Sequence, residues 1–102
     1  MVLCPHMSAA AKTCPVTKTA LILSDTWTML IMHALWDGPQ RFCELERSLK
    51  GISTRTLTLK LKRLEGEKMI KKTKDGSYAA TEKGVALKMV GNAMRSYGEK
   101  FL

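Results

Sequence analysis

The chain has 102 residues, enough for one domain, and its 45% hydrophobic and 25% charged content excludes a largely disordered protein. Its formal charge is +8, from 17 Lys and Arg against 9 Asp and Glu, which favours a polyanionic partner. No apolar run approaches the roughly 20 residues of a membrane span, and no leader pattern opens the chain. Three cysteines without finger spacing suit neither a disulfide scaffold nor structural zinc, so a cytoplasmic protein is expected.

Residues 1–12 lack sustained periodicity and are expected to form a flexible N-terminal arm, leaving 13–102 as the folded domain. Thr13-Cys14-Pro15 reads as a helix start, with Pro tolerated in the first turn and Val16, Ala20, Leu21 and Leu23 at helical spacing, predicting a helix over 15–23. Unpaired amides and the helix dipole at that start favour a thiolate, so Cys14 is read as a reactive thiol or as a small buried residue. Ser24-Asp25-Thr26 supplies capping oxygens for a second helix, where Trp27, Leu30, Ile31, Ala34 and Leu35 form the expected core face. Met29, Met32 and Trp36 make its other face apolar too, which predicts cover from a second chain. His33 reads as a satisfied histidine rather than a ligand. Asp37-Gly38-Pro39 ends that helix, since Gly permits a left-handed cap and Pro prevents continuation.

A brief extended piece at 40–42 leads to a short helix with Phe42, Leu45 and Leu49 on one face. Gly51-Ile52 then connects tightly to a helix over about 54–65. Ser53 is its N-cap, and Ile52 and Leu57 have hydrophobic-staple spacing. At about 100° per residue, Leu57, Leu61 and Leu64 fall within about 60° of one another, and Arg55, Thr58, Leu59 and Lys62 cluster opposite. Such a rod fits a DNA major groove, where Arg can bond guanine, Thr can reach base edges or phosphates, and an apolar tip can touch a thymine methyl. An ordinary amphipathic surface helix is the alternative for this segment alone. The charge decides between them: residues 50–74 hold nine Lys and Arg against two Glu, nearly the whole excess of the chain. Two helices joined by a Gly-containing turn, the second capped and basic, make a helix-turn-helix.

Residues 69–73 read as a strand, Asp75-Gly76 as a two-residue hairpin turn, and 77–79 as the antiparallel return. The hairpin would carry Lys71, Lys72 and Lys74 beside the helix-turn-helix as a wing that meets phosphates. A solvated lysine-rich hairpin that blunts its own edges is the other reading. Thr81 caps a last helix over about 82–100. Val85, Ala86, Met89 and Ala93 are expected to pack on the domain. Leu87, Val90, Met94, Tyr97 and Phe101 recur at alternating steps of three and four, the seam of a paired helix and so the expected dimer interface.

The combination of Cys14-Pro15, Trp27, Gly38-Pro39, Arg41-Phe42, Glu44-Leu45, Gly51-Ile52-Ser53, Leu57, Leu61, Leu64-Glu65, Ile70 and Thr81-Glu82-Lys83-Gly84 resembles the HxlR family of winged helix-turn-helix transcription regulators. The resemblance implies a mainly α fold with a small β-hairpin, and a dimer held through the terminal helices. It also implies that the helix after Gly-Ile-Ser is the DNA reader, and that the Cys14 position senses oxidants in some relatives. Departures are Thr26 where Lys is usual, Lys68 where Gly is usual, a short wing, and Leu59 where a polar residue is common.

The expected function is therefore a dimeric, sequence-specific double-stranded DNA-binding transcription regulator on a near-palindromic operator, with Cys14 a candidate redox sensor. Ser53, Thr54, Arg55, Thr58, Leu59, Lys62, Arg63, Lys71, Lys72 and Lys74 are the candidate DNA contacts. A winged-helix protein-interaction module is the alternative. No paired acids, no nucleophile with a nearby base and no phosphate-cradling loop point to an enzyme, and no cofactor or metal site is expected.

Overall fold

The computed structural model describes residues 14–23 and 25–102, so the expected arm at 1–12 and the Ser24 cap lie outside the described residues. Six helices and one hairpin follow in the order α1 (Pro15–Ile22), α2 (Thr26–Trp36), α3 (Phe42–Ser48), α4 (Thr54–Gly66), β1 (Ile70–Lys72), β2 (Tyr78–Ala80), α5 (Glu82–Ala86) and α6 (Lys88–Phe101). None of these helices is long and apolar enough to cross a membrane.

The core gathers Ile31, Met32 and Leu35 of α2, Leu45 of α3, Leu57, Leu61 and Leu64 of α4, and Leu49, Met69, Ile70 and Leu87 between elements. Each fully buried leucine contributes about 1.5–3 kcal/mol relative to exposure, so the α4 spine is a principal anchor of the fold. The second face of α2 is partly covered by the chain itself, with Met29 and Trp36 half-buried. Met32 is fully buried, while the Trp36 ring lies against Gly91 of α6 and its Nε1 donates to the Gly84 carbonyl at 2.9 Å. The sequence pattern missed this because α5 and α6 return onto α2 from more than 45 residues away.

β1 and β2 pair antiparallel, Ile70 with Ala80, Lys71 with Ala79 and Lys72 with Tyr78. The extended piece before α3 is reduced to Gln40, which exchanges backbone bonds of 2.9 and 2.7 Å with Tyr78. The hairpin turn is not a two-residue one. The Thr73 amide donates to the Ser77 carbonyl and the Gly76 amide to the Thr73 carbonyl, and of the turn residues only Gly76 has positive φ. This is a three-residue loop, a type I turn closed by a glycine bulge, because Asp75 bonds Thr73 and the Ser77 amide rather than turning left-handed.

The C-terminal helix is also divided. Leu87 ends α5 with its amide bonded to Gly84, and α6 restarts from it. Leu87 is only 9% exposed and belongs to the protomer's own core, so it is removed from the expected dimer seam, and Val90 packs partly on the same core. Val85 and Met89, expected to pack on the domain, are exposed instead. The kink rotates the helix so that the seam, not the other stripe, faces inward at its start.

Candidate nucleic-acid interface

α4 starts where the sequence indicates. Ser53 Oγ accepts from the Thr56 amide at 3.0 Å, and Ile52 packs on the core before it. The far end is a Schellman closure: the Met69 amide donates to the Leu64 carbonyl at 2.9 Å and the Lys68 amide to Glu65 at 3.0 Å, with Lys68 at φ 61° in the left-handed position that glycine usually fills. Between these caps the leucine spine is fully buried, and Arg55, Leu59 and Lys62 are exposed on the opposite side, Leu59 at 54%.

The candidate contacts separate into two groups. Arg55, Leu59 and Lys62 of α4 and Lys71, Lys72 and Lys74 of the hairpin project into solvent. Lys72 lies over the Tyr78 ring at 5.6 Å from its centroid, on the face of the hairpin opposite to Lys71. Thr58 is half-buried and donates to the Thr54 carbonyl at 2.8 Å, which leaves its oxygen free to accept and its methyl to touch. The others are committed elsewhere. Ser53 is occupied as a cap, its hydroxyl donating to Thr56 Oγ1 at 2.9 Å. Thr54 Oγ1 donates to Glu46 Oε2 at 2.6 Å, and Arg63 Nη2 donates to the Leu21 carbonyl at 2.7 Å. Thr54 and Arg63 thus each hold a bond within the protomer while remaining exposed. Sequence reasoning missed Glu46 and the Asp25–Lys60 pair, because no local spacing relates residues 35 apart on different helices.

Cys14 is the N-cap of α1, 5% exposed and disulfide-bonded. Cys43 is exposed and its thiol is free. Beyond the core, α6 overhangs: Met94, Tyr97 and Phe101 continue the stripe begun by Leu87 and Val90 but are 53–64% exposed, the Tyr97 and Phe101 rings 5.0 Å apart. Val16 and Leu21 of α1 are exposed as well.

A capped basic helix, buried on one side by leucines and flanked by a lysine hairpin, is the architecture of a winged helix. The model of the HxlR-like helix-turn-helix matches residues 22–102. The chain belongs to the HxlR family. Its relatives are HTH-type transcriptional regulators, so this HxlR chain is a DNA-binding regulator rather than an enzyme. It is 34% identical over 95 residues to the HTH-type transcriptional regulator YodB of Bacillus subtilis, covering 86% of this chain and 85% of that one. It is also 40% identical over 81 residues to the regulator YvaP of the same organism, covering 72% and 75%. Among solved structures it superposes on quinone-bound YodB with a TM-score of 0.78 at 35% identity, covering 86% and 99%. On the redox regulator HypR in its reduced form the TM-score is 0.77 at 28% identity, covering 85% and 92%.

Proposed function

We propose that this HxlR regulator acts in the cytoplasm as a homodimer on a near-palindromic operator, with α4 in the major groove and the lysine hairpin on the backbone. The single observation that carries this reading is the open face of α4. Arg55, Leu59 and Lys62 face solvent opposite a fully buried spine, so the helix presents donors and an apolar tip without rearrangement. Lys71, Lys72 and Lys74 extend the positive field beyond it and set position more than sequence. The overhanging Met94, Tyr97 and Phe101 support a twofold contact through α6, joined by Val16 and Leu21 of α1. A twofold pair would set two readers about 34 Å apart, one turn of DNA.

Selecting duplexes from a random-sequence pool and titrating the tightest one against salt tests the reading. Several phosphate contacts per protomer predict an affinity loss of order 10³ between about 50 and 200 mM salt. Binding to no duplex at low salt overturns the proposal. Sedimentation of Tyr97→Glu should give monomer where the wild type gives dimer.

The response to oxidants belongs to the same reading. YodB is solved with quinone and after diamide treatment, and HypR in reduced and oxidised forms. Cys14 stands at the buried start of α1, where a change between thiol and disulfide alters the first turn of a helix that abuts α4. Operator affinity should differ between dithiothreitol and diamide in the wild type and not in Cys14→Ser.

A further inference from the structure

One flank of α4 bonds to the rest of the protomer. Going round the helix from the open face toward the leucine spine, Arg63 comes first and Lys60 next. Both reach the corner between α1 and α2. Arg63 Nη2 donates to the Leu21 carbonyl at 2.7 Å, and Lys60 Nζ meets Asp25 Oδ2 at 2.5 Å. Leu21 lies in the last turn of α1, whose final carbonyls have no partner within the helix, and Arg63 supplies one. Asp25 is engaged twice, because its Oδ1 also accepts from the Thr28 amide at 2.8 Å and caps α2. Burial pushes the Asp25 carboxyl up, but the bonds from Lys60 and Thr28 together outweigh it and hold the carboxyl below its usual range.

Two cations that a charge count assigns to DNA are therefore spent on the protein. Their side chains are partly solvated, so the Lys60–Asp25 pair adds little stability. Its geometric effect is larger. The spine sets which side of α4 faces the core, while these two bonds, a helical turn apart on one flank, restrain its rotation and tilt.

We propose that Arg63 and Lys60 are positioning residues that aim the reading helix by tying it to the α1–α2 corner, and that neither contacts phosphate. This rests on the reading of α4 as the DNA reader. It follows that a displacement of α1, whose N-cap is Cys14 at the opposite end, reaches the reader through the Arg63 bond, while the Lys60 bond ties the reader to the start of α2.

The test compares the tightest duplex selected with wild-type protein against poly(dI–dC), for Arg63→Met, Lys60→Met and Asp25→Asn. Each variant should lose of order tenfold on the selected duplex, the scale of a misaligned base contact, with less than about twofold change on poly(dI–dC) and an unchanged salt slope. Arg63→Lys, which keeps a donor, should recover most of the loss. Asp25→Asn discriminates best, because Asn keeps the cap oxygen and the change removes a negative charge. If charge alone mattered, it would tighten binding to both duplexes. Melting by circular dichroism checks that each variant is folded. The proposal is overturned if Arg63→Met lowers the salt slope by about one and weakens both duplexes alike, or if all three variants bind the selected duplex as tightly as wild type. Enrichment of no duplex by the wild type would instead sink the DNA reading itself, and this inference with it.

Discussion

Gly84 and Gly66 both sit in helices, and the structure predicts opposite outcomes for the same substitution. A Cβ on Gly84 would lie 2.1 Å from the Met69 carbonyl oxygen and 3.0 Å from Met32 Cε. A close carbon–oxygen approach is about 3.3 Å, so α5 and the backbone at Met69 must separate by about 1 Å. That oxygen also accepts from the Thr81 amide at 3.0 Å, and the Gly84 carbonyl holds Trp36. Overpacking at the upper end of about 1–3 kcal/mol, plus about 1 for a strained hydrogen bond, outweighs the roughly 1 kcal/mol that alanine gains in a helix. Gly84→Ala should therefore destabilise by about 2–3 kcal/mol, lowering the melting temperature by more than about 8 °C. Gly66 has ordinary φ and nothing within 4 Å of its Cβ, so Gly66→Ala should be neutral or stabilise by up to about 0.5 kcal/mol. Urea titration of both variants checks the pair. A Gly84→Ala protein as stable as wild type would refute the packing of α5 on Met69.

Arg55→Ala should cost about 1–3 kcal/mol on the selected operator and relax the base preference at one position, read by competition titration; a uniform loss on all duplexes would make Arg55 a phosphate clamp. Lys68→Gly should stabilise the fold by about 1 kcal/mol in urea, because it relieves a left-handed lysine at the end of α4. The Asp75 carboxyl is held down to about 2 from 3.8 by the Thr73 hydroxyl and the Ser77 amide. A depressed pKa means its contribution is present above about pH 4 and is lost as pH falls through about 2, so the Ser77 amide shift should stay constant to pH 4 and move below it.

What the sequence made legible was local. The α4 N-cap, its leucine spine and the open Arg55–Lys62 face follow from 3.6-residue periodicity and one serine, and they appear in the structure as expected, whereas the left-handed closure at Lys68 does not follow from them. What it hid was set by contacts distant in sequence. Trp36 reads from sequence as a contact for a second chain, because Gly91, the surface its ring rests on, lies 55 residues on. The charge of Arg63 is visible in sequence, and the carbonyl it bonds, 42 residues earlier, is not. The turn at Asp75-Gly76 failed for a different reason: the aspartate side chain satisfies the loop from within, which removes the need for a second positive φ.

The central claim is that the solvent face of α4 and the lysine hairpin meet DNA while α6 does not. Amide shift perturbation in a ¹⁵N-labelled dimer titrated with the selected duplex measures this directly. The account predicts that the largest changes fall at Arg55, Leu59, Lys62 and 71–74, with Tyr97 and Phe101 unmoved. Perturbations centred on α6, with Arg55 and Leu59 unchanged at saturation, would contradict it.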